Sequence, residues 1–238
     1  LRQAARFILA RQNPDGGFGT YERRRGTGLL EALNPSEMFR DCMVEGSYVE
    51  CTGSAVAALA RFRRASPGVL GPEVGRGIER GIRFLRAAQE PDGAWRGFWG
   101  INFTYAAFHA VRGLRAAGVA ASDPGLVRAA AWLSAIQRPD GGWGEHYTGC
   151  LTGRYVPHPE SQAVMTAWAL LALMDVLGPD AEPIRRGVAW LTAAEGPDGS
   201  WPPGAVNGVF FGSAMLDYRL YKSYFPAWAL ARHAALAR

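Results

Sequence analysis

Lysine is almost missing from this chain. Of its 26 basic residues, 25 are arginine and Lys222 is the single lysine. That skew reads as a coding preference for arginine rather than as a charged binding face. Against 21 acidic residues it leaves a formal net charge of +5. The excess is scattered apart from Arg23-Arg24-Arg25, so no nucleic-acid partner is expected. Cysteine is scarce as well. Cys42, Cys51 and Cys150 are too few and too irregularly placed for a disulfide framework, which favours a reducing compartment. His109, His146, His158 and His233 stand apart from one another and from the cysteines, so neither a metal site nor a cofactor is expected. No apolar run approaches the roughly 20 residues of a membrane-spanning helix. There is no GxGxxG or GxxxxGK[ST] loop for phosphates. The expected location is the cytoplasm, or the cytoplasmic face of a membrane with peripheral association.

What remains is a globular chain of 238 residues, 48% hydrophobic and 11% aromatic, enough for one sizeable core. No signal peptide is expected within it, since no charged stretch precedes an apolar run and a small-residue cleavage site. A helical pattern is already running at Leu1-Arg2-Gln3-Ala4-Ala5-Arg6-Phe7-Ile8-Leu9. The expectation is therefore a single domain, 1–238, incomplete at its N-terminus.

Thirty glycines and 15 prolines mark many abrupt turns. Four turns share one pattern: Gln12 to Phe18, Gln89 to Trp95, Gln137 to Trp143 and Glu195 to Trp201. Each carries Gln or Glu, then Pro-Asp-Gly, then an aromatic residue. An apolar residue lies four positions before the Gln or Glu: Ile8, Leu85, Leu133 and Leu191. Proline stops the helix and Asp-Gly makes the turn. Gln at the helix end can bond nearby backbone while the aromatic packs over the turn. Between the turns, 53–64, 103–117, 164–177 and 225–237 are apolar nearly all round and predict buried helices. Stretches 1–11, 73–89, 124–137 and 183–194 are amphipathic and predict outer helices. The alternation predicts an all-α fold with eight main helices and no convincing sheet. Inner and outer helices would form an α/α-toroid, a partial α6/α6 barrel. Its first helix is an outer one whose inner partner would lie upstream.

These repeats resemble the QW motifs of squalene–hopene and oxidosqualene cyclases. More specific are Gly28 to Phe39, Tyr48-Val-Glu-Cys-Thr52, Trp99-Gly-Ile-Asn-Phe-Thr-Tyr105, Gly141-Gly-Trp-Gly-Glu145 and Phe225-Pro-Ala-Trp-Ala-Leu230. In this order the segments are similar to the C-terminal part of oxidosqualene cyclases, more so than to the hopene-forming branch. The resemblance covers essentially the whole chain. It implies the catalytic barrel of a triterpene cyclase, an isomerase that folds a linear C30 isoprenoid, squalene or 2,3-oxidosqualene, and guides its carbocations to polycycles. By the same resemblance Tyr21, Trp99, Phe103, Tyr105, Phe210, Tyr218 and Tyr221 match positions of the cavity wall. Cys51 matches a cysteine that hydrogen-bonds the catalytic acid. A wall of this kind must be dry and must offer aromatic faces to a cation. Glu50 and Glu145 are open in role, and an acid after such a turn more often braces it.

The family's initiating aspartate sits in Asp-Cys-Thr-Ala-Glu or Asp-x-Asp-Asp, and neither occurs here. The near match Asp41-Cys42-Met43-Val44-Glu45 reads as coincidence, since an ungapped run from Asn34 to Cys51 places it on another family segment. The acid is expected from a missing upstream half of a longer chain, without which these residues would not start a cyclisation. Two alternatives stand beside this reading. One is a noncatalytic toroid that binds a lipid or a protein partner. The other is a prenyltransferase β-subunit-like protein, which would need zinc held by Asp, Cys and His.

Overall fold

The computed structural model describes residues 1–36 and 41–237. The Glu37-Met38-Phe39 end of the Gly28–Phe39 segment lies outside them. Eight long helices alternate as expected, each within a few residues of its anticipated ends. The outer ones are α1 (Arg2–Ala10), α3 (Gly71–Ala87), α5 (Pro124–Ala135) and α8 (Glu182–Ala193). The inner ones are α2 (Val49–Ala65), α4 (Phe103–Ala116), α7 (Ala163–Val176) and α9 (Tyr221–Leu236). A short helix, α6 (Thr148–Thr152), and a 3-10 turn over Gly28–Leu33 were not anticipated.

Inner helices pack side by side in the order α2, α4, α7, α9, and the outer helices lie against them. Burial follows the hydrophobic pattern. Every residue of α7 from Val164 to Met174 is buried, whereas α3 buries the single stripe Val74, Gly77, Ile78, Gly81 and Leu85. The last inner helix departs from the expectation of all-round burial: α9 buries Phe225, Pro226 and Ala229. It ends the row and packs on α7 and α8 from one side, so Tyr224 and Leu236 stay exposed while Tyr221, Trp228 and Leu230 are half-buried against the core. The first pair of inner helices touches through glycine. A Cβ at Gly113 would lie 2.7 Å from the Gly53 Cα, and one at Gly53 would lie 2.2 Å from the His109 carbonyl oxygen.

The four turns repeat one geometry. The indole Nε1 of Trp95, Trp143 and Trp201 donates to the carbonyls of Leu85, Leu133 and Leu191 at 2.7, 2.8 and 2.9 Å. Trp95 and Trp143 are 0% exposed. Asp15, Asp92, Asp140 and Asp198 each accept from the backbone N–H two residues on. Gln12, Gln89 and Gln137 donate twice, to their own turn glycine and to the next outer helix at Gly77, Gly125 and Pro183. Each Gln thus ties a helix end to its neighbour, its amide donating to one carbonyl of its own turn and to one of the next outer helix.

One expectation needs correction. A two-stranded antiparallel sheet, β1 (Gly208–Phe210) and β2 (Ala214–Leu216), precedes α9. The turn uses Phe211 and Gly212 in the left-handed region, at φ 46° and 72°. Two short apolar runs flanking Gly212-Ser213 carried this signal, below the length at which a strand declares itself by alternation.

Candidate functional site

The loop between α3 and α4 carries Trp99, and three sets of main-chain bonds hold it. Glu50, in the first turn of α2, is 3% exposed, and its Oε1 accepts from the N–H groups of Phe98 and Trp99 at 2.7 and 2.6 Å. On the other side the Trp99 carbonyl accepts from Val209 N in β1, and Ile101 N donates to the Asn207 carbonyl. Asn102 Oδ1 accepts from Gly97 N and closes the loop. The hairpin therefore serves as a splint along the Trp99 loop, and Gly100 pairs with Gly208 where the two meet.

That splint assembles an aromatic group. Around the Trp99 ring lie Phe98 at 5.0 Å, Phe211 at 5.3 Å, Phe210 at 5.7 Å, Tyr48 at 5.9 Å and Tyr21 at 6.2 Å between centroids. Tyr21 is 62% exposed. Its loop is held by Glu45, which accepts from the N–H groups of Thr20 and Tyr21. Cys51 sits beside that loop, its Sγ 3.6 Å from Thr20 Oγ1. Burial first, then the nearby Glu50, push the Cys51 thiol up to about 12, so it is a protonated donor rather than a nucleophile.

A second group adjoins the first. Tyr105 meets Trp168 at 4.8 Å and His109 at 4.5 Å. Tyr221 meets Tyr218 at 4.8 Å and Trp168 at 6.1 Å. The glycine pair joins the groups by being bare. A Cβ on Gly100 would lie 2.3 Å from the Tyr105 ring, and one on Gly208 would lie 2.2 Å from the Tyr218 ring. Trp99, Phe210 and Tyr21 are thus brought together, and Tyr105, Tyr218 and Tyr221 lie along the same hairpin. Phe103 is not with them. At 5% exposure it packs with Trp132 and Tyr155, each 6.4 Å from it between ring centroids and 5.5 Å from each other, in the core.

Two buried acids, open in role from the sequence, act on backbone. Glu145 receives the N–H groups of Phe103 and Thr104 and the Thr104 hydroxyl, at 2.9 to 3.0 Å. It caps α4, whose first N–H groups have no intrahelical partner. Glu50 does the same service for the Trp99 loop. Burial raises the pKa of both carboxyls above the ordinary 4.5, opposed by those N–H bonds. Neither role had a local signal, because the bonds span more than forty residues. A cleft of about 390 Å³ opens beside Glu50, lined by Tyr48, Phe98, Arg96, Asn102 and Cys150. Asp41, at its edge, is exposed and lies in a left-handed turn at φ 54°.

Among the described residues no group of three or more His, Cys, Asp or Glu could hold a metal ion. No helix among them is long and apolar enough to cross a membrane. Residues 1–235 match the family described as the squalene–hopene cyclase C-terminal domain. Human lanosterol synthase is 40% identical over 240 residues, covering 99% of this chain and 33% of its own length. Cycloartenol synthase of Dictyostelium discoideum is 43% identical over 227 residues, covering 95% of this chain and 32% of its own. The chain spans about a third of the length of these curated relatives. In fold it is similar to the type II terpene cyclase MstE of Scytonema, with a TM-score of 0.68 and 21% identity, over 99% of this chain and 68% of that one. The repeat geometry, the inner and outer helix layers and these matches agree: the chain belongs to the squalene–hopene and oxidosqualene cyclase family, and corresponds to its C-terminal domain.

Proposed function

We propose that residues 1–238 supply the aromatic wall of a triterpene cyclase that converts squalene or 2,3-oxidosqualene through carbocations. The observation that carries this reading is the Trp99 group, an indole with five ring neighbours held by bonds to its own N–H and carbonyl. An aromatic face attracts a cation by about 0.5–2 kcal/mol, more where water is excluded. A face whose backbone is already fixed spends no free energy on reorganising when the charge arrives. Trp99, Phe210 and Tyr21 would meet the cations, with Tyr105, Tyr218 and Tyr221 extending the wall.

Aromatic faces stabilise a cation that already exists, so an acid must first protonate the alkene or epoxide. That acid would come from outside residues 1–238, and Cys51, protonated at neutral pH, would donate a hydrogen bond to it. The test is incubation of the full-length protein with each substrate, followed by mass spectrometry. Cyclic C30 products, absent when residues 1–238 are incubated alone, support the reading. Binding of the polyprene by the full-length protein without turnover would replace it with the lipid-binding toroid.

A further inference from the structure

Arginines that are scattered in sequence are gathered by the fold at the C-terminal ends of the inner helices. Arg61, Arg112 and Arg232 each lie four residues before the last residue of α2, α4 and α9. Some of this charge is matched locally. Arg64 donates to the Ala116 carbonyl, and Arg115 donates to the carbonyls of Val119 and Asp175. Cations at helix C-termini commonly do this. Arg232 pairs with the Asp175 carboxylate, which is thereby engaged.

Arg61 and Arg112 are left over. Neither has a hydrogen-bond or ion-pair partner among the described residues. Arg112 is half-buried, with its guanidinium carbon 5.0 Å from the Trp228 ring centroid and 5.8 Å from that of Phe108. A guanidinium held against aromatic rings keeps its N–H edges for an oxygen ligand. Burial, then the Arg61 charge, lower the Arg112 pKa, with Asp175 opposing and Arg232 adding to the fall. A second anion at this point would offset that repulsion.

The pair also has a fixed relation to the aromatic wall. Cys51, Ser54, Ala58 and Arg61 follow one stripe of α2, and Tyr105, His109 and Arg112 follow one stripe of α4. Ser54 Oγ lies 3.0 Å from His109 Nδ1, so the two stripes run side by side. Arg112 comes two turns after Tyr105, about 10 Å along the helix. We propose that Arg61 and Arg112 form an anion site, on the same face as the aromatic wall and two turns beyond it, that takes a phosphate or diphosphate group. Two forked guanidiniums from different helices suit an anion with several oxygens, which each can grip by two parallel bonds. Squalene and 2,3-oxidosqualene carry no charge, so the ligand of this site is a different molecule.

The test titrates the full-length protein calorimetrically with inorganic diphosphate, in buffer free of other phosphate. Saturable binding is expected. Arg61→Gln and Arg112→Gln should each weaken it about tenfold or more, as loss of a charge-assisted bond does. Arg63→Gln, an exposed arginine on the opposite side of α2, should leave it unchanged. Arg61 is exposed as well, so its variant decides the matter if Arg112→Gln does not fold. Capture by phosphatidylcholine vesicles containing phosphatidate, lost in the same two variants, with no binding of free diphosphate, would assign the phosphate to a lipid head. Binding of neither probe overturns the proposal and gives the arginines to a carboxylate elsewhere in the protein. Binding that Arg61→Gln and Arg112→Gln leave unchanged overturns it too. Turnover is not read, so failure here leaves the aromatic-wall reading standing.

Discussion

The Glu50 carboxylate holds Trp99 by its backbone, with Oε1 2.6 Å from the Trp99 nitrogen. The other oxygen, Oε2, is buried without a hydrogen-bond partner among the described residues, as is the Trp99 indole nitrogen. The contact therefore positions the ring without touching it.

Glu50→Ala should cost about 2–3 kcal/mol, since it leaves the Phe98 and Trp99 N–H groups unsatisfied in the interior. Glu50→Gln keeps an oxygen acceptor and should cost much less. Denaturant unfolding of the three proteins checks the ranking. A Glu50→Ala protein as stable as the parent would show that the loop is held elsewhere.

Glu50 and His109 should tilt the stability curve in opposite directions with pH. Burial raises the Glu50 pKa above 4.5, so the folded state holds the extra proton. Relative to Glu50→Gln, the parent should lose stability as pH rises from 4.5 through the raised value. Burial lowers the His109 value from 6.5 to about 3, so the unfolded state holds the extra proton. Relative to His109→Gln, the parent should lose stability as pH falls from 6.5 towards 3. Difference curves of the melting temperature from pH 3 to 8 read both slopes.

Cys51 should resist alkylation. With its thiol pushed up to about 12, only about one molecule in 10⁴ is thiolate at pH 8. Iodoacetamide labelling followed by peptide mass spectrometry measures this. Rapid modification of Cys51 in the folded protein would contradict a half-buried, protonated donor.

In the full-length protein, Trp99→Ala should lower cyclisation about tenfold or more, consistent with the loss of a desolvated cation–π contact worth about 2 kcal/mol. Trp99→Phe should recover part of it and release more partly cyclised products. Asp41→Asn should leave turnover unchanged, because Asp41 is exposed and Cys51 pairs with Thr20. Loss of all turnover in Asp41→Asn would make Asp41 the initiating acid.

The helical frame was legible because its signals are local. Apolar residues such as Val74, Ile78 and Leu85 recur on one face, and the Pro-Asp-Gly turns stop each helix at its end. The neighbourhood of Trp99 was legible in its residue types but not in its construction. Glu50 reaches across 49 residues to the Trp99 nitrogen, and Gly100 meets Gly208, so no window of sequence contains either contact. Phe103 shows the same limit from the other side. It lies four residues from Trp99, yet Glu145 starts a helix at its nitrogen and the ring joins Trp132 and Tyr155 instead.

Gly53 and Gly113 bring the main chains of α2 and α4 into contact, with no side chain between them. The absence of an intervening side chain removes the soft layer through which packed helices usually slide. Glu50 and Cys51 at the head of one, and Tyr105 at the head of the other, therefore keep a constant spacing, like marks on a single ruler. The aromatic wall proposed for this chain would depend on that constancy more than on any one of its faces.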